Sequence, residues 1–186
     1  MATPPTLPLS KLPLSSVGAL HVAPIVNTAT REIESYEVLI RMLDERNELI
    51  MPSGFLATAD RFGLAAEIDK WVIRHAIDSL ARQRVGSPRL RYAINLSGST
   101  LTTPGICELI QDRLKHTGLD PAALTFEVTE TVAIADMAAA ENFLHRLRSM
   151  GCRTALDDFG SGMASFAYLK DLPVNSVKID GRFVKN

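Results

Sequence analysis

The sequence is short of cysteine, of histidine and of surplus charge, and each shortage removes a class of function. Only two cysteines occur, Cys107 and Cys152, and neither has a second Cys or a nearby His at ligand spacing. Both read as small buried apolar residues of a protein kept in a reducing, cytoplasmic compartment. The four histidines, His21, His75, His116 and His145, are scattered and form no metal spacing. Twenty basic residues against twenty-one acidic ones leave a net charge of -1, so the surplus needed to hold DNA or RNA by bulk electrostatics is missing. No apolar run is long enough to span a bilayer, and no membrane insertion is expected. The start has neither the basic opening nor the unbroken apolar stretch of a signal peptide. Residues 1–18, with Pro4, Pro5, Pro8 and Pro13, read instead as a disordered lead-in.

What is present is enough for one well-filled domain: 46% of 186 residues are apolar and 22% charged. That domain is expected over 19–186. Leu20–Val26 and Ser35–Ile40 read as a hairpin, with Glu37 as an odd carboxylate in a β-prone run that fits an edge strand facing water. From Pro52 the pattern turns helical, with Ile68, Trp71, Val72, Ala76 and Leu80 on one face. A strand over Leu90–Leu96 ends on Asn95 and Ser97. The next helix is expected to open with Thr103 as N-cap and Pro104 in its first turn, and to stop at Gly118. A strand over Leu124–Val128 carries Glu127, with Glu130 just beyond it. A third helix, with Met137, Ala140, Leu144 and Leu147 on one face, ends at Gly151. Cys152–Phe159 then forms a strand, a helical turn falls at Ser165–Leu169, and Ser176–Asp180 forms a further strand holding Lys178.

Strands alternating with helices at this spacing predict parallel βαβ units with both sheet faces covered. Asn95, Glu127, Asp157, Asp158 and Lys178 then gather near the C-terminal ends of successive strands, the rim on which a β/α barrel places its chemistry. An open doubly wound sheet is the alternative, but no G-x-G-x-x-G turn follows the first strand. Asp157 and Asp158 repel each other unless a cation lies between them, although on this stretch alone an Asp- and Gly-rich turn is the simpler reading. Carboxylates and a carboxamide without sulfur or imidazole suit Mg²⁺ or Mn²⁺ rather than zinc. Two such ions can activate a water and neutralise a phosphodiester, with Lys178 orienting that water or merely pairing with the Asp groups. On residue types alone, metal-dependent phosphoester chemistry and a structural acidic rim stand about even.

Six stretches in one order carry a resemblance: YEVLIR at 36–41, FGLAAEIDKWV at 62–72, INLS at 94–97, FEVTE at 126–130, ALDDFGSG at 155–162 and VKID at 177–180. From Leu20 to its end the chain resembles the EAL domain, the family of cyclic di-GMP phosphodiesterases. The resemblance implies a TIM-like β/α barrel with Glu37, Asn95, Glu127, Asp157 and Asp158 as metal ligands. It implies catalytic roles for Lys178, Glu37 and Asp157, substrate contacts from Arg41, Glu37 and Asn95, and support of the loop after the Asp pair by Glu130. Mg²⁺ or Mn²⁺ would serve turnover and Ca²⁺ would block it, in a homodimer.

The departures are specific. Val38 stands for the signature Ala, Ala23 for a Gln before Pro-Ile, and Met163 and Ala164 for Tyr-Ser. The family continues with two more strands, which carry a further acidic ligand and a Gln. About six of eight strands are therefore expected, an incomplete barrel with exposed edges. The reading is an EAL-type domain that binds cyclic di-GMP, hydrolysed to pGpG in the complete form, with catalysis here compromised by truncation. Its rivals are an active enzyme completed by a partner chain and a protein-interaction module using the open barrel edge.

Overall fold

Local chemistry sets each element before packing orders them. The computed structural model describes residues 18–44, 46, 48–160 and 166–184. The expected lead-in falls outside these residues except for Gly18, which opens the first strand; the expectations for Gly162, Met163, Ala164 and Ser165 also fall outside them. Strands β1 (Gly18–Val26) and β2 (Ile33–Leu43) form the predicted hairpin, longer than the sequence pattern suggested. Asn27 makes its turn: Oδ1 accepts from the N–H groups of Ala29 and Thr30 at 2.9 and 3.0 Å. A two-residue strand, β3 (Leu49–Ile50), joins β2 antiparallel and was not expected.

Helices α1 (Leu56–Arg61) and α2 (Ala65–Arg84) follow, then β4 (Tyr92–Asn95), α3 (Gly98–Thr102), α4 (Ile106–Thr117), β5 (Leu124–Thr129), α5 (Glu130–Ala135), α6 (Met137–Ser149) and β6 (Arg153–Phe159). A 3₁₀ turn over Phe166–Lys170 leads to β7 (Ser176–Ile179). The sheet runs β1-β2-β4-β5-β6-β7, with β2 and β4 to β7 parallel and β1 and β7 outermost among the described residues. Asn175 sets β7 in place: its Oδ1 accepts from Thr154 N–H at 2.9 Å and its own N–H donates to the Thr154 carbonyl at 2.8 Å.

Two expectations need correction. Thr103 does not cap α4. It closes α3, its hydroxyl donating to the Ser99 carbonyl at 2.7 Å, and the α4 N-cap is Gly105 at φ +85°, a conformation that favours glycine. The helices also do not cover both sheet faces. Val38, Ile94, Phe126, Val128 and Leu156 share one core cluster with Ile73, Ile77 and Leu80 of α2, Ile110 of α4, and Leu144 and Leu147 of α6. The opposite face carries Ala93, Ala155 and the polar residues, and it is the interior of a partial barrel.

Candidate metal and phosphodiester site

Strand register alone puts the site residues on one face. Glu37 pairs with Ala93, Asn95 with Glu127, and Glu127 with Ala155, while Leu156 pairs with Val177 immediately before Asp157 and Lys178. Each step along the sheet moves by zero or two residues, and because side chains alternate with period two, all five project to the same side. The two-residue steps also offset strand tilt, so residues from different positions along their strands share one layer. Glu37 accordingly sits in the middle of β2 and not at its end. It is half-buried rather than an edge residue facing water.

Within that layer one carboxylate oxygen from each of Glu37, Glu127 and Asp157 lies within 4.8 Å of the others. The Lys178 ammonium donates to Glu127 Oε2 at 2.7 Å and Asp157 Oδ2 at 2.9 Å, and stands 3.9 Å from Glu37 Oε2. Asn95 Nδ2 donates to Glu37 Oε1 at 2.8 Å. Burial pushes the Glu127 carboxyl above the usual carboxylate range despite Lys178. For Lys178, burial is the largest single influence and pulls downward, yet the bonds to Glu127 and Asp157 and the surrounding negative charge outweigh it and hold its proton more tightly than in water. Lys178 is therefore a cationic donor at neutral pH and not a base.

Asp158 stays outside this carboxylate group. Its φ is +53°, the β6–β7 register shifts between Leu156 and Phe159, and its N–H donates to Asp157 Oδ1 at 2.9 Å. The irregularity turns its side chain toward solvent, beside the group rather than in it. Burial, then the negative charges of Asp157 and Asp180, raise its carboxyl. Arg41 projects on the same face of β2 as Glu37, with Nη1 donating to the Ile40 carbonyl at 2.8 Å, and pairs with no carboxylate among the described residues. Ala23 lies opposite Glu37 in the antiparallel ladder and presents a methyl group beside that carboxylate.

Glu130 opens α5 after the Thr129 cap and is fully buried. Its Oε2 accepts from the Gly160 N–H at 2.9 Å, and its Oε1 accepts from the Tyr168 hydroxyl in a short bond. It thus ties β5 to the chain after the Asp pair. Tyr168 was missed by sequence reasoning, since a tyrosine in a short helical turn gives no periodic signal.

An all-oxygen set of three carboxylates with a neighbouring carboxamide fits a hard divalent ion, as the divalent-metal dependence of EAL phosphodiesterases requires. The EAL domain model matches residues 17–186, and the chain belongs to that family. Cyclic di-GMP phosphodiesterase PdeF of Escherichia coli K12 is 40% identical over 151 residues, which cover 81% of this chain and 20% of that protein. The chain spans about a fifth of the length of the curated relatives it matches. Among solved structures, the PaMucR phosphodiesterase in complex with c-di-GMP superposes with a TM-score of 0.84 at 33% identity, covering 90% of this chain and 68% of that one. The FimX EAL domain of Pseudomonas aeruginosa bound to c-di-GMP gives 0.84 at 31% identity, covering 92% and 69%. The fold is a TIM-like barrel of EAL type, present in part.

Proposed function

We propose that this chain is a cyclic di-GMP binding domain of cytoplasmic second-messenger signalling. Its ligand would sit over the Glu37, Asn95, Glu127, Asp157 and Lys178 layer, with Arg41 meeting a phosphate. The observation that carries the reading is the convergence of three carboxylates on one ammonium from four parallel strands, two within hydrogen-bonding distance and Glu37 at 3.9 Å. Glu37, Asn95, Glu127, Asp157 and Asp158 would hold Mg²⁺ or Mn²⁺, with Ca²⁺ binding without turnover. Bound there, such an ion supplies charge neutralisation at the phosphodiester and lowers the pKa of water.

Hydrolysis to pGpG joins a water oxygen to one phosphorus and breaks one phosphorus–oxygen ester bond, and the released ribose oxygen takes up a proton. In that step Lys178 donates to the attacking water or the developing charge, because its ammonium cannot accept a proton at neutral pH. Asn95 and Glu37 fix each other through their mutual bond, and Glu130 holds Gly160 and with it the backbone after Asp157 and Asp158. A homodimer is the proposed assembly.

A second reading has its own support. Val177 and Ile179 of β7, outermost among the described residues, and Phe183 and Val184 in the turn after it expose apolar surface, which favours a protein docked there. Calorimetric titration with cyclic di-GMP in Ca²⁺, then in Mg²⁺ with product analysis, tests both. Binding with pGpG formation establishes an active phosphodiesterase, and binding alone a receptor. A folded chain that binds no nucleotide overturns the nucleotide reading and leaves the docking surface.

A further inference from the structure

The helical stretch FGLAAEIDKWV has no part in the site described above, yet it contains a charge in the core. Asp69 lies on the inward stripe of α2 with Ala65, Ala66, Val72, Ile73 and Ala76, and is 8% exposed. No cation pairs with it among the described residues, so its burial must be offset by hydrogen bonds. Three donors converge on its Oδ2: the Ser97 N–H at 2.7 Å, the Ser97 hydroxyl at 2.7 Å and the Thr100 hydroxyl at 2.6 Å. Thr100 is fully buried, and its hydroxyl donates to Asp69 Oδ2 at the shortest of the three distances.

These bonds replace a local cap. Ser97 is the N-cap of α3, but its side chain caps no N–H of its own helix and turns to Asp69. Five residues of Gly, Ser, Thr and Leu make a poor helix alone. The turn is fixed from α2, across 28 and 31 residues of sequence. It is also the exit of β4, two residues beyond Asn95. The Leu96 N–H is held by the Glu127 carbonyl at 2.9 Å, so the backbone after Asn95 is pinned at two successive residues, by β5 and by Asp69.

We propose that Asp69 is a positioning residue of this site: its carboxylate clamps Ser97 and Thr100 and thereby fixes the Asn95 carboxamide against Glu37. The role rests on reading the strand-end cluster as a metal and nucleotide site. Asp69 touches neither ion nor nucleotide and acts through the β4 exit.

The full chain labelled with ¹⁵N-asparagine, with Asp69→Ala, Asp69→Asn and Ser97→Ala, gives two readouts: Mn²⁺ affinity from the electron paramagnetic resonance signal of free Mn²⁺, and the side-chain amide cross-peaks of Asn95. Outer partners of metal ligands are worth about 10–100-fold in affinity, so Asp69→Ala is expected to bind Mn²⁺ at least about 10-fold more weakly and to shift the Asn95 peaks. Asp69→Asn, which keeps one acceptor oxygen, recovers part of both. Ile110→Val in the α4 core, which lowers stability away from the site, changes neither. Wild-type Mn²⁺ affinity together with unmoved Asn95 peaks in folded Asp69→Ala overturns the proposal, and Ser97→Ala and Asp69→Asn carry the same test if Asp69→Ala does not fold. If the wild-type chain takes up no Mn²⁺, the metal reading fails, and the Asn95 peaks alone decide whether Asp69 positions that side chain.

Discussion

Replacing Lys178 by Met isolates the charge balance of the site. Three carboxylates face one ammonium, so two negative charges are uncompensated; Lys178→Met leaves three, whereas Asp157→Asn leaves one. Removing one partner of a buried ion pair costs about 3–5 kcal/mol. Here the Lys178 side chain is about one third exposed and Glu127 almost wholly buried, so solvent screening brings the cost to about 2–3 kcal/mol. For a chain of this size that lowers Tm by about 4–12 °C. Asp157→Asn relieves repulsion while losing one bond to Lys178, and is expected to stay within about 1 kcal/mol of wild type in either direction. Differential scanning calorimetry in chelator reads both. Because the folded-state pKa of Lys178 is raised, its stabilisation is whole at neutral pH and is lost as pH rises beyond 10.5. On the acid side the Lys178→Met penalty fades as Glu127, whose carboxyl is raised, takes up its proton before ordinary carboxylates do. Mn²⁺ is expected to raise the Tm of Lys178→Met more than that of wild type. A Lys178→Met chain that melts with wild type in chelator refutes the assignment of Lys178 as counter-ion.

Glu130→Ala orphans the Gly160 N–H and the Tyr168 hydroxyl, and is expected to cost about 2–4 kcal/mol in urea unfolding, against about 1–2 for Glu130→Gln; equal midpoints for the two variants would contradict the role of Glu130 as hydrogen-bond acceptor. Gly160→Ala forces a side chain at φ +89° and a Cβ 2.7 Å from the Phe183 ring, for a loss of about 1–3 kcal/mol. Adding Phe183→Ala is expected to recover only the steric part, and full recovery would show that the backbone is unstrained. Burial pushes the Cys152 thiol up to about 12 and the Cys107 thiol upward, so the contribution of Cys152 to stability is whole below about pH 9 and lost as pH rises through 12, and that of Cys107 is likewise lost on the alkaline side of pH 9. Ellman's reagent at pH 8 is expected to label neither thiol until denaturant is added, and stoichiometric labelling of the native chain would place at least one of them at the surface.

The alternating strands and helices and the strand-end acids were legible in the periodicity, and the partial barrel in the resemblance to the EAL domain. Once strands alternate with helices, the positions of Asn95, Glu127, Asp157 and Lys178 near strand ends fix a common face, and register needs only an even offset. What was not legible depended on contacts distant in sequence. The helix over Gly98–Thr102 was not expected, because Ser and Thr compete with the helix for backbone bonds, and α3 forms with Asp69 of α2 bonded to Ser97 and Thr100. Thr129 before Glu130 is a cap signal that could have revealed α5, since its hydroxyl accepts from the Val132 N–H. Asp69 left a trace as well: an acid spaced by three and four residues from Ala65, Ala66, Val72 and Ile73 lies on the apolar stripe of its helix and must find donors in the core. Asp158 left none, because the left-handed backbone that turns it away from its neighbour is a tertiary outcome.

The arrangement of charge bears on how an ion and Lys178 share the layer. The ammonium takes Oε2 of Glu127 and Oδ2 of Asp157, while Oε1 of Glu37 accepts from Asn95. The two charges left over match one divalent ion, so charge balance does not require Lys178 to leave when the ion arrives. Asp158 adds one more negative charge beside the layer, and burial, then the charges of Asp157 and Asp180, raise its carboxyl despite Lys178 and Arg182. Lys178 supplies the positive charge that a pair of ions and four carboxylates lack toward a phosphodiester anion. An uncharged replacement at Lys178 therefore weakens the anion while it strengthens the first ion, whereas replacement of Asp157 weakens the ion.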